Sequence, residues 1–209
     1  MTKILMILSL LVMSLAAKAE TYVVCVGIGT YADSKVRNLS KAEKDAKAMA
    51  GFYKKGTENV MTITGKYATK TQILESLRSQ FGRARAGDKI VFYFSGHGYP
   101  GGFCPYEMSW LEEGLSYSEV IKVMSQSKAK DKMIFADACN SGLIREGSVV
   151  AIPETGSVML FLSSRGNEYS IDSPLLSNGY FRTICFMDSE GKRIPIETEG
   201  LQPKNFTSM

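Results

Sequence analysis

Two segments constrain what this chain can fold into more than any others: VFYFSGHG at 91–98 and KMIFADACNSG at 132–142. Each runs from consecutive β-formers straight into a turn of small residues. Phe92, Tyr93 and Phe94 lead into Ser95-Gly96-His97-Gly98, and Met133, Ile134 and Phe135 lead into Ala136-Asp137-Ala138-Cys139-Asn140-Ser141-Gly142. Apolar runs of this kind read as strands buried on both faces, the signature of a parallel sheet covered by helices. His97, the single histidine, and Cys139 then stand at the carboxyl ends of buried strands. That is the end at which open α/β sheets place their chemistry.

The rest of the pattern agrees with such a sheet. Tyr22 to Ile28 is another continuous apolar run, Val60 to Thr64 reads as a second strand, and Val158 to Leu162 as a further one ending in Ser163-Ser164. Between them lie helical patterns. Ala42, Ala46, Met49, Ala50 and Tyr53 follow a capping box expected at Ser40-Lys41-Ala42-Glu43. Ile73, Leu74, Leu77 and Phe81 share one face of a helix expected from Thr69 to about Arg85, and a third helix is expected near Ser116 to Ser127. YPGGFCPYE after His97 reads as a loop, and Tyr180 to Met187 as a short amphipathic segment. Strands alternating with helices predict a mainly parallel sheet in a single domain.

MTKILMILSLLVMSLAAKAE opens with Lys3, an apolar stretch from Ile4 to Leu15, and the small-residue pattern Ala17-Lys18-Ala19. This predicts a signal peptide over residues 1–19, cut after Ala19, and a secreted or periplasmic product. The stretch is short for a stable membrane span, and no stop-transfer pattern follows it. Its removal leaves 190 residues and takes Lys3 and Lys18 with it, so the formal charge falls from +4 to +2. So small a balance, with no basic run, argues against nucleic acid as a partner. One histidine and no C-x-x-C pair leave no zinc-ligand spacing. Cys25, Cys104, Cys139 and Cys185 are too few and scattered for a disulfide framework, though a single bridge stays open.

Gly27-Ile28-Gly29-Thr30-Tyr31-Ala32 matches a dinucleotide-binding glycine pattern, but its helix is not expected until Ser40, whereas that pattern opens a helix at once. The second strand also lacks an acidic end to hold a ribose. These glycines read as a strand-to-loop turn.

A thiolate beside an imidazole is the minimal set for nucleophilic attack on a carbonyl, so the residues themselves predict a cysteine peptidase. SGHG together with DACNSG resembles the caspase-like cysteine peptidases, and metacaspases and their bacterial relatives more than animal caspases. The likeness extends over VVCVGIGTY, Lys44-Asp45-Ala46, GDKIVFYFSGHG, GLSYSEV and NGYF at 178–181. It departs in a short loop after His97 and in Asn140, where a histidine is common.

The resemblance implies a caspase-like three-layer sandwich, with a mainly parallel sheet and helices on both faces. It implies Cys139 as nucleophile, His97 as general acid and base, and the backbone N–H groups of Gly98 and Cys139 as oxyanion donors. Asp45, Ser95 and Asp137 are then expected in the primary substrate pocket. Two carboxylates there favour cleavage after Arg or Lys, since a desolvated cation needs paired charge. Ser163 and Ser164, with Arg165 and Glu168, are expected along the substrate groove, and Arg145, in LIREGS, is an expected self-cleavage site of a zymogen. Partners are protein or peptide substrates. The chemistry requires no cofactor; calcium activation is common among similar metacaspases, but no acidic loop here marks a calcium site. The alternatives are a caspase-like fold kept as a non-catalytic binding module, or a peptidase preferring Asp.

Overall fold

The computed structural model describes residues 18–109, 114–138, 158–162, 186–187 and 193–194. A five-stranded sheet carries the fold, made of β1 (Thr21–Gly27), β2 (Val60–Thr64), β3 (Lys89–Ser95), and the two strands numbered below as β7 (Asp131–Asp137) and β8 (Val158–Leu162). Their order is β2-β1-β3-β7-β8 and every pairing is parallel. Among the described residues three α-helices lie between them: α1 (Ala42–Tyr53), α2 (Lys70–Gly82) and α3 (Tyr117–Gln126). Between β3 and α3 lie the two-residue strands β4 (Gly98–Tyr99), β5 (Gly102–Phe103) and β6 (Leu115–Ser116), and later in the chain β9 (Phe186–Met187) pairs antiparallel with β10 (Arg193–Ile194).

Successive strand residues face opposite sides of a sheet, so each central strand feeds two cores. On one face Val24, Val26, Ile90, Phe92, Phe94 and Ile134 pack with Ile73, Leu77 and Phe81 of α2 and Val120 and Met124 of α3. On the other, Val23, Cys25, Val91, Tyr93, Phe135 and Phe161 meet Ala46 and Ala50 of α1. This explains why the strand segments are apolar at consecutive positions.

Ala42, Ala46 and Ala50 give α1 a flat edge that lies close to the sheet. A Cβ on Gly27 would stand 2.5 Å from the Ala42 carbonyl oxygen and 2.7 Å from the Ala46 Cβ. Gly27 ends β1 where the chain passes into the expected loop, and its missing side chain also lets α1 approach the sheet. That docking also sets where the helix starts. Lys41 is the N-cap, with φ −122 and no side-chain cap, so the capping box expected at Ser40 does not form. The helix expected to run to Arg85 stops at Gly82. Beyond it, Asp88 Oδ2 accepts the Arg85 N–H at 2.7 Å and Gly87 takes φ 99, a turn that feeds β3.

The segment expected as a loop after His97 also carries the two-residue strands β4 and β5, which with β6 make a small three-stranded antiparallel sheet. Gly101 turns it at φ 106, and Gly102 packs where a Cβ would meet the Leu115 carbonyl oxygen and the Tyr99 hydroxyl, both at 2.4 Å. Phe103, fully buried, anchors it to the core, with its ring centroid 4.3 Å from Phe94 and 4.9 Å from Tyr117. Of the expected leader, residues 1–17 lie outside the described residues, and Lys18 and Ala19 are exposed. Among the described residues no helix is long and apolar enough to cross a membrane.

Candidate active site

The chain leaves β1 for β2 on one side and returns to β3 on the other, so the strand order reverses between β1 and β3. Ligands of open α/β sheets gather at the carboxyl ends around such a reversal. His97 follows β3 by two residues, and Cys139 follows β7 by two. The two strands are neighbours in register, with Ser95 opposite Asp137, and the Gly96 N–H donates to the Asp137 carbonyl at 3.2 Å. Ala138 is buried; Cys139 itself lies outside the described residues.

Half-buried His97 is held from several sides. Its N–H donates to the Tyr31 hydroxyl at 2.7 Å, its carbonyl accepts the Cys104 N–H at 2.9 Å, and its ring centroid is 5.1 Å from that of Tyr31. The Tyr31 hydroxyl in turn donates to the Ile28 carbonyl at 3.3 Å. Nε2 of His97 lies 2.6 Å from the Arg37 carbonyl oxygen. A carbonyl only accepts, so Nε2 carries the proton, and in the neutral ring Nδ1 holds the lone pair. The imidazole is thus set to take a proton at Nδ1.

Ser95 and Asp137 continue the alternation of Tyr93 and Phe135 and so face α1, whose first turn carries Asp45. Tyr93 reports their proximity. Its phenol is pushed well above the usual range first by burial, then by the negative charges of Asp137 and Asp45, with the Ser95 side chain acting in the opposite direction. Residues expected to share a pocket, drawn from α1, β3 and β7, therefore surround one buried phenol. Ser95 is itself buried, while Asp45 and Asp137 are half-buried.

Gly98, half-buried in β4, stands opposite Phe103 and adjoins the His97/Cys104 hydrogen bond. Hydrogen-bonded and open pairs alternate along an antiparallel ladder, which directs the Gly98 N–H away from β5. Arg145, Ser163, Ser164, Arg165 and Glu168 lie outside the described residues. Cys104 is buried, Cys25 is a free buried thiol, and burial, only partly offset by Lys54, pushes the Cys25 thiol up to about 12. A thiol so hard to ionise is no nucleophile.

Among the described residues, no group of three or more His, Cys, Asp or Glu side chains could hold a metal ion. Nor does the glycine pattern after β1 open a helix, since α1 begins only at Ala42. A cavity of about 600 Å³ bordered by Tyr22, Lys54, Thr57 and Arg83 opens at the amino-terminal edge of β1 and β2, the far end of the sheet from His97. Sequence reasoning missed Tyr31 and the Arg37 carbonyl. Tyr31 stood inside a pattern read as a turn, and a backbone carbonyl has no residue signature.

The caspase-domain family model matches residues 21–193. Among solved structures, the chain is similar to protein GSU0716 from Geobacter sulfurreducens, at 17% identity and a TM-score of 0.62, over 78% of this chain and 78% of that one. It is also similar to Caspase-1 from Spodoptera frugiperda, at 10% identity and a TM-score of 0.57, over 76% of this chain and 65% of that one. At such identities the likeness is one of fold. No curated protein matches the chain.

Proposed function

Since this chain belongs to the caspase-domain family of cysteine peptidases, we propose that it is an endopeptidase in which Cys139 attacks the scissile carbonyl and His97 manages the protons. The observation that carries the reading is His97 itself, fixed at the end of β3 beside the end of β7 with Nε2 on the Arg37 carbonyl. Nδ1 takes the thiol proton, and the thiolate adds to the carbonyl carbon. Negative charge develops on the carbonyl oxygen, and the N–H groups of Gly98 and Cys139 are its donors. The imidazolium then gives its proton to the departing amine, leaving a thioester. Water, deprotonated by the same imidazole, hydrolyses that thioester and frees the thiol.

Asp45 and Asp137, with Ser95 opposite Asp137 on the neighbouring strand, favour a guanidinium or ammonium in the primary pocket. Cleavage after Arg or Lys follows, because carboxylates repel an acidic side chain and pair with a cationic one. Ser163, Ser164, Arg165 and Glu168 extend the substrate groove. Arg145, six residues beyond Cys139, suits the same pocket in another copy or its own and is the site of self-processing. The leader is removed after Ala19, and the protein acts outside the cytoplasm.

Cleavage of matched fluorogenic peptides ending in Arg, Lys or Asp by residues 20–209, with and without calcium, tests the reading. Turnover after Arg or Lys that disappears in Cys139→Ala is expected. Turnover only after Asp would overturn the pocket while sparing the dyad. No turnover in any condition would favour a non-catalytic module.

A further inference from the structure

Asp88 begins the step from the α2–β3 turn into the sheet, and its side chain is buried, with the residue only 6% exposed. Its partners are backbone donors: Oδ2 accepts the Arg85 N–H at 2.7 Å and Oδ1 accepts the Glu20 N–H at 2.9 Å. Its own carbonyl accepts the N–H groups of Lys130 and Asp131 at 3.1 and 3.4 Å. No Lys, Arg or His side chain among the described residues pairs with it. A carboxylate taken from water without a counter-charge is costly, and neutral amides offset that cost only in part.

The nitrogen of Glu20 is held firmly in place. The Glu20 carbonyl accepts the Lys89 N–H at 2.9 Å, which starts the β1–β3 ladder, and its carboxylate accepts from the Asn59 amide at 3.3 Å. This same nitrogen follows the small-residue pattern Ala17-Lys18-Ala19, and Lys18 and Ala19 are exposed. The geometry points to a built ammonium site: Asp88 is the counter-ion for the chain's own new N-terminus, formed when the leader is cut between Ala19 and Glu20.

The inference rests on the leader removal proposed above. A leader peptidase adds one water across the Ala19–Glu20 amide. The C–N bond breaks, Ala19 departs as a carboxylate, and the Glu20 nitrogen, as an amine, gains a proton to become an ammonium. Before the cut Asp88 accepts a neutral amide N–H; afterwards it faces a full positive charge at the same place. Charge-assisted hydrogen bonds are about twice as strong as neutral ones, so removal of the leader itself tightens the fold. The precursor is the looser form, as suits a chain that must cross a membrane before it folds.

N-terminal sequencing of the exported protein is expected to give Glu20 first, and any other start overturns the proposal. The lock is tested separately and without activity, so a failure of the peptidase reading leaves it standing. A full mature chain starting at Glu20 is compared with one carrying Ala19 ahead of it. The Glu20 start is expected to unfold with an equilibrium constant about tenfold smaller and a Tm about 4 °C higher. Asp88→Asn should erase that difference. Should Asp88→Asn fail to fold, acetylation of the Glu20 start keeps an N–H donor and removes the charge, and is expected to lower the Tm to that of the Ala19 start. Equal melting of the free and acetylated forms, or of the two starts, overturns the lock.

Discussion

At the scale of single residues, the site rests on how one imidazole is held. Tyr31 bridges His97 and Ile28 through its hydroxyl, with contacts of 2.7 and 3.3 Å, while its ring lies against the imidazole. Tyr31→Phe keeps the ring and removes both bonds. We expect kcat to fall about tenfold with KM changed less than about twofold, since a loosened base misplaces the proton more than the substrate. Steady-state kinetics on an Arg-ending peptide checks this, and an unchanged kcat would show that the Arg37 carbonyl and the aromatic contact suffice to hold the imidazole without the hydroxyl. A second expectation concerns Cys25, whose thiol burial pushes up to about 12. Iodoacetamide at mildly alkaline pH should leave it unmodified in the folded protein and reach it only after unfolding, as peptide mass mapping would show. The position of His97 at the end of β3, beside the end of β7, was legible because an imidazole directly after a buried apolar run stands out. The role of Tyr31 was not, because it stands in a glycine-rich pattern that reads as a strand-to-loop turn.

At the scale of elements, α3 shows how local chemistry and tertiary contact reinforce one another. Ser116 accepts the Glu119 N–H at 3.2 Å while Glu119 reaches back to the Ser116 N–H at 2.9 Å, a complete capping box. Glu119 also pairs with Lys70 at the start of α2, at 3.0 Å. Burial tends to raise the Glu119 carboxyl, but the Ser116 hydroxyl and N–H and the Lys70 ammonium outweigh it and hold it below the ordinary glutamate value. A carboxyl lowered in the folded state contributes stability above its unfolded value, and that contribution is lost as pH falls through the folded value. Urea unfolding followed from neutral pH down through the carboxylate range should therefore show an acid slope that Glu119→Gln reduces. Ser116→Ala should cost about 1 kcal/mol at neutral pH; no change in either variant would mean the box is replaced by water. The helix start in GLSYSEV was legible because its cap is local. The start of α1 was misread since docking of Ala42 against Gly27 overrides the cap at Ser40. The strands β4 to β6 were invisible because two-residue strands rich in glycine carry no periodicity.

For the whole molecule, the parallel sheet was legible from its unbroken apolar strands, which only a two-sided core explains. The order β2-β1-β3-β7-β8 was not, because strand neighbours are chosen by long-range packing and leave no mark in composition. Yet that order is what brings the carboxyl ends of β3 and β7 together and sets α1 over them, so Asp45 and Asp137, the carboxylates of the proposed pocket, come from segments far apart in sequence. Gly27 is where this assembly is most exposed to a single methyl. A Cβ there would lie 2.5 Å from the Ala42 carbonyl oxygen, a backbone atom that cannot rotate away, and 2.7 Å from the Ala46 Cβ. Gly27→Ala must therefore lift the start of α1, and with it Asp45, from the sheet. Overpacking of this kind costs about 2 kcal/mol, so chemical denaturation should show a loss of that size. If Asp45 helps to hold the cationic side chain of the substrate, KM for Arg- and Lys-ending peptides should rise severalfold in the same variant. The rate at which a small alkylating reagent inactivates Cys139 should change little, since β3, β7 and His97 stay in place. A matching loss in the alkylation rate would instead trace the defect to the sheet itself, whereas a change in KM alone supports the proposed division between α1 for specificity and the ends of β3 and β7 for chemistry.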